Sequence, residues 1–107
     1  MYVIVRTMKM VKGNKEQVAQ RFSNPSPVTK SPGFIRMEVL FSGKNPEYDI
    51  YQTMIYWTDK KAFYVWEGSP EHIAMHRNKD HEHNKRPEGI LEVTHEAYEM
   101  IASKEHE

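Results

Sequence analysis

The chain has 107 residues, with fifteen basic and fifteen acidic side chains that cancel to a formal net charge of zero. That length fits one domain spanning residues 1–107, and the charge balance argues against a nucleic-acid binder working through a broad basic field. With no cysteine, the sequence excludes disulfides, thiolate nucleophiles and Cys-ligated zinc or iron–sulfur centres.

Along the chain, YVIVRTMKMV is rich in β-branched and aromatic residues and reads as a strand, which ends at the turn signal Lys12-Gly13-Asn14. This apolar start has no basic leader region and no small-residue cleavage site, so it is expected to be a strand and not a signal peptide. NKEQVAQRF places Val18, Ala19 and Phe22 on one stripe of a short helix with Asn14 as its N-cap. NPSPVTKSPG holds three of the six prolines and reads as a loop. GFIRMEVLFSG is a second strand, in which Ile35, Met37, Val39 and Phe41 alternate with Arg36, Glu38 and Leu40. The turn cluster GKNPEYD joins it to YDIYQTMIYW, and two strands so joined form an antiparallel hairpin.

At Thr58-Asp59 the pattern changes to a helix whose face carries Ala62, Phe63, Val65 and Trp66 and which ends at Gly68. Ser69-Pro70-Glu71 starts another helix, with serine as cap, proline at the first position and an acid in the first turn. That helix carries His72, Ile73, His76 and Arg77 before the polar loop DHEHNKRPEG, and GILEVTHEAYEMI is the last strand. The order β-α-β-β-α-β predicts an α+β, ferredoxin-like fold: a four-stranded antiparallel sheet with helices on one face. Strands with large residues on both sides leave the other face half-apolar, and a second copy is the simplest cover, giving a sheet-on-sheet homodimer. Nothing approaches the roughly 18 consecutive apolar residues that a membrane span requires, so the expected location is the cytoplasm.

The histidines come next. His72 and His76 are spaced i, i+4 on one helix face, a metal-ligand geometry that a solvated face shows equally well. With Glu71 and Asp80 they sketch a zinc hydrolase, the least supported option. His81 and His83 lie in the charged loop, and His95 reads as a histidine of the sheet or the dimer interface. A neutral imidazole at the mouth of an apolar cleft can instead be the axial ligand of haem iron. Phe22, Phe63, Trp66, Ile73 and Met75 would then wall the cleft, with Val5, Ile35 and Met54 beneath, and with Arg77, Lys79, Lys85 and Arg86 near the propionates at the rim. The same residues make an ordinary core and an ordinary loop, which is the simpler reading, and composition alone does not identify haem. No P-loop, dinucleotide fingerprint or nucleophile elbow is present.

At these residues the chain resembles a family. Trp57, Ala62-Phe63, Trp66, Ser69 and His76, with "SPEHIAMHR" around the histidine, are similar to the haem-degrading monooxygenases of the IsdG and HmoA type, within the antibiotic-biosynthesis-monooxygenase superfamily. "VKGNKEQVAQRF" and "SPGFIRMEVL" extend the resemblance over almost the whole chain. It implies a homodimeric α/β barrel with one haem per subunit, as both cofactor and substrate. His76 would be the axial ligand of the iron and Trp66 the residue whose bulk distorts the macrocycle. An external reductase would supply electrons, O₂ would react on the side opposite His76, and the ring would open to a tetrapyrrole with release of iron. Where the best-known members place an asparagine on the first strand, this chain has Arg6, followed by Thr7. Arginine is a permanent cation with five donors and no acceptor. It would stabilise a bound oxygen species or contact a propionate, or else point into the dimer towards a carboxylate. The same superfamily includes cofactor-free monooxygenases of quinols and aromatic polyketides, in which Trp66 and His76 would be pocket wall and base. A non-enzymatic haem-binding dimer is the further alternative.

Overall fold

The computed structural model describes residues 1–74 and 89–107. Strand β1, Tyr2–Met10, is followed by helix α1, Lys15–Phe22, and a 3₁₀ turn at Pro27–Lys30 within the proline-rich stretch. Strands β2, Phe34–Ser42, and β3, Asp49–Trp57, lead to helix α2, Lys60–Glu67, and the chain closes with β4, Ile90–Glu99. Residues 70–74 are also helical. The strands pair in the order β2-β3-β1-β4, every pair antiparallel. This is the ferredoxin-like arrangement expected from the element order, with β1 and β3 as the central pair.

Local chemistry sets the ends of the helices. Asp59 caps α2, its Oδ1 accepting from the Ala62 amide at 2.8 Å. Asn14 occupies the N-cap position of α1, but its side chain does not cap. Its Nδ2 donates to the Val11 carbonyl at 3.0 Å, closing the preceding turn, while its backbone carbonyl accepts from Val18 at 2.9 Å. Of the expected α1 stripe, Val18 and Phe22 are half-buried and Ala19 is exposed.

Gly33 fits β2 beneath α2. Its carbonyl accepts from the Thr58 amide at 2.8 Å, and its φ of +85° is one that side chains other than glycine rarely adopt. A Cβ there would collide with the Ala62 Cβ and the Thr58 Oγ1.

The core lies between the helices and one end of the sheet. Tyr2, Val28, Trp57 and Trp66 form its buried centre, with Ile4, Phe34, Met37, Ile55, Ala62 and Phe63 packed around them. The Trp57 ring meets Phe34 edge-on at 5.7 Å and Phe63 at 6.1 Å, within the range of favourable aromatic pairs. Strand periodicity sends the alternate residues to the other side. There Val3, Val5, Gln52, Met54, Tyr56 and Tyr98 line an open groove of about 370 Å³ that no described helix covers.

Candidate functional site

The helix-facing side of the sheet carries the even-numbered residues of β1. Ile4 and its ladder partner Ile55 belong to the core, and two residues further on, on the same face, stands Arg6. Arg6 is opposite Thr53 on β3 and His95 on β4, and Thr53 is in turn opposite Val39 on β2. One row across the sheet therefore reads Val39, Thr53, Arg6, His95. By strand parity Arg6 lies on the helix-facing side of the sheet, and it is absent from the lining of the open groove.

Burial pushes the Arg6 guanidinium below its ordinary value, and it forms no hydrogen bond or salt bridge among the described residues. His95, on the exposed edge strand, is also held below its ordinary value, first by desolvation and then by the positive charge of Arg6. Sequence reading put His95 in the sheet and did not join it to Arg6. The signal was there, because a ferredoxin-like order makes the first and last strands neighbours. The register between them was not legible.

Trp66 and Phe63 come together on α2. Trp66 is only 7% exposed and belongs to the core cluster, while the Phe63 ring lies 5.8 Å from Tyr2. Phe22 is placed elsewhere, at the end of α1, where it lines a cavity of about 300 Å³ with Ser26, Thr29, Phe34 and Met37. Phe34, against Trp57, links this cavity to the α2 aromatics. Ile73 is exposed on the helical segment that follows α2.

Val5 and Met54, expected beneath the cleft, lie on the opposite face and line the open groove. The period of two along a strand explains this correction, since residues adjacent to Arg6 and Ile55 must point the other way. Ile35 falls where the β2–β3 register shifts and is exposed.

His72 is tied into the junction after α2. Ser69 caps the helical segment, its Oγ accepting from the His72 amide at 3.2 Å. The His72 Nδ1 lies 2.9 Å from the Glu67 carbonyl, which can only accept, so this nitrogen carries the hydrogen. The ring also stacks, tilted, at 5.3 Å from Trp66. His72 thus works as a local tether, and among the described residues no group of three or more His, Cys, Asp or Glu side chains could hold a metal ion. His76, Arg77, Met75 and the basic residues Lys79, Lys85 and Arg86 lie outside the described residues, as do Asp80, His81 and His83. Nor, among the described residues, is any helix long and apolar enough to cross a membrane.

The arrangement is thus an aromatic helix wall over a strand floor that carries a half-buried cation. Residues 1–78 match the family model for antibiotic biosynthesis monooxygenases. A heme-degrading monooxygenase of Bacillus thuringiensis (strain Al Hakam) is 32% identical over 79 residues, covering 74% of each chain. Among solved structures, a Bacillus cereus protein assigned to the antibiotic biosynthesis monooxygenases superposes with a TM-score of 0.81 at 27% identity, over 98% of this chain and 97% of that one. MhuD, a heme-degrader from Mycobacterium tuberculosis solved with two hemes in its active site, superposes at 0.70 with 19% identity over 98% and 100%. A mutant of SnoaB, a cofactor-independent oxygenase from Streptomyces nogalater, superposes at 0.59 with 16% identity over 95% of each chain. The last two likenesses are of fold alone. On the strength of the family match and the 32% relative, this chain belongs to the antibiotic biosynthesis monooxygenase family.

Proposed function

We propose that the protein is a haem-degrading monooxygenase that takes haem as its substrate, uses O₂ and an external electron donor, and releases iron from an opened tetrapyrrole. The observation that carries this reading is the 32% identity over 79 residues to the Bacillus heme-degrading monooxygenase. The family match to residues 1–78 contains Arg6, Phe22, Phe63, Trp66, Ile73, His76 and Arg77.

The described residues fit a flat, apolar, anionic ligand in their chemistry. Phe63 and Trp66 offer an aromatic wall on α2, and Arg6 offers a cation on the floor that no described carboxylate neutralises. Bound haem would supply the redox and O₂ chemistry, and the protein's share is to bind, orient and exclude water. His76 is the proposed axial ligand and Arg77 a proposed partner for a propionate. Trp66 is proposed to press on the macrocycle. Its place in the packed core suits that role, because a wall can distort a ligand only if it does not itself yield.

The reading includes a homodimer, a cytoplasmic location and a reductase as electron donor. Support for the dimer is the sheet face away from the helices, where Tyr98 is 53% exposed beside the half-buried Val5 and Met54. A second sheet packed there would bury this apolar surface.

The test is a haemin titration of the purified protein, followed by ascorbate or a reductase in air. A Soret band that saturates at one haem per subunit and then bleaches, with iron appearing free, is the expected result. A band that persists with reductant would make the protein a haem binder without turnover. Consumption of O₂ with a quinol and no haem would move it to the cofactor-independent chemistry of which SnoaB, with the same fold, is an example.

A further inference from the structure

Buried charge is matched at one place on this sheet and unmatched at another. Asp49, buried at the end of β3, accepts from the Lys12 ammonium at 3.0 Å. Arg6, on the adjacent strand, has no such counter-charge among the described residues. Its cross-strand neighbours are Thr53, a neutral hydroxyl, and His95, which would add a second positive charge if protonated. Side chains directly opposite in an antiparallel pair have Cβ atoms about 5 Å apart, and like charges at that spacing destabilise each other. A partly desolvated guanidinium without an anion is costly as well.

Both penalties reverse when a negatively charged group sits between the two side chains. Arginine then offers up to five N–H donors and the imidazole at least one. Arg6 stands in a central strand and His95 beside it in an edge strand, so these donors meet on the helix-facing side of the sheet. We infer that Arg6 and His95 together form a subsite for an anionic group of the ligand held between helices and sheet.

The inference rests on the haem reading above and deepens it. In a haem complex the anionic group would be either a carboxylate of the porphyrin edge or an anion bound to the iron. The two share the same chemistry, a negative atom accepting two or more N–H hydrogen bonds.

The wild type, Arg6→Gln, Arg6→Lys and His95→Gln are titrated with haemin and with haemin dimethyl ester, and sodium azide is then titrated into each ferric complex. A charge-assisted subsite predicts that Arg6→Gln loses about tenfold or more in one of two quantities, the preference for the diacid over the ester or the affinity for azide. His95→Gln should lose a smaller part of the same quantity, and Arg6→Lys should retain most of it. Loss of the diacid preference assigns the subsite to a carboxylate, and loss of azide affinity assigns it to an anion on the iron. If Arg6→Gln does not melt cooperatively, His95→Gln decides, a loss of about threefold supporting the subsite and no loss overturning it. Haemin binding by a folded Arg6→Gln with both quantities unchanged overturns the subsite and leaves haem binding intact. Failure of the wild type to bind either porphyrin overturns the haem reading and the subsite together.

Discussion

The helix-facing side of the sheet has two parts built on opposite rules. At one end Tyr2 and Trp57 pair across the ladder beneath Trp66, Phe63 and Phe34, and Trp57 is 1% exposed. Further along β1, the row through Arg6 replaces this packing with a guanidinium, a hydroxyl and an imidazole. The first part holds the fold, and the second holds a cation that no described side chain matches. An anionic ligand would supply that match, and the proposed subsite rests on this contrast. Asp49 makes the same point by opposition, since its buried carboxylate has its own lysine.

Substitutions sharpen that contrast, and the largest effect belongs to the packed end. Trp66→Ala should cost about 3–5 kcal/mol of unfolding free energy, measured by urea denaturation, because it empties a core site. A cost under about 1 kcal/mol would mean that core packing does not hold Trp66 in place. Next comes Gly33→Ala, at roughly 2–4 kcal/mol. It combines a left-handed backbone with a collision against Ala62 and Thr58, so a neutral result would show that α2 does not press on the start of β2.

The smallest effect belongs to His95. Its folded pKa is lowered, so the folded state binds its proton less readily than the unfolded chain does. The stability linked to this group is therefore complete above the ordinary imidazole range and declines as pH falls towards the folded value. An NMR titration of the His95 ring should give a pKa below the ordinary imidazole value, with a partial rise in Arg6→Gln, because desolvation remains when the cation is gone. No change in that variant would separate the two side chains.

Much of the fold was legible because its signals are local. The Lys12-Gly13 turn, Asp59 at a helix start, Ser69 as a cap and the alternation along YDIYQTMIYW each act within a few residues, and the order of elements then fixes the topology. The site was less legible. Arg6 and Trp66 were singled out by resemblance, but which face each occupies depends on parity along a strand and on packing. Val5 and Met54 show how a shift of one residue in parity moves a side chain across the sheet. Asn14 marked the helix start correctly, yet its amide found a nearer partner in the turn. The i, i+4 spacing of His72 and His76 did not reveal that the His72 ring is bonded to the Glu67 carbonyl.

The histidine pair also supplies the most direct measurement. Haemin is titrated into His76→Ala and His72→Ala, with thermal melts confirming that each variant is folded. Loss of the Soret band or a sharp fall in affinity in His76→Ala, with His72→Ala nearly unchanged, is expected if His76 ligates the iron and His72 tethers the helix junction. Equal behaviour of the two folded variants would contradict the assignment of His76 and with it the proposed haem site.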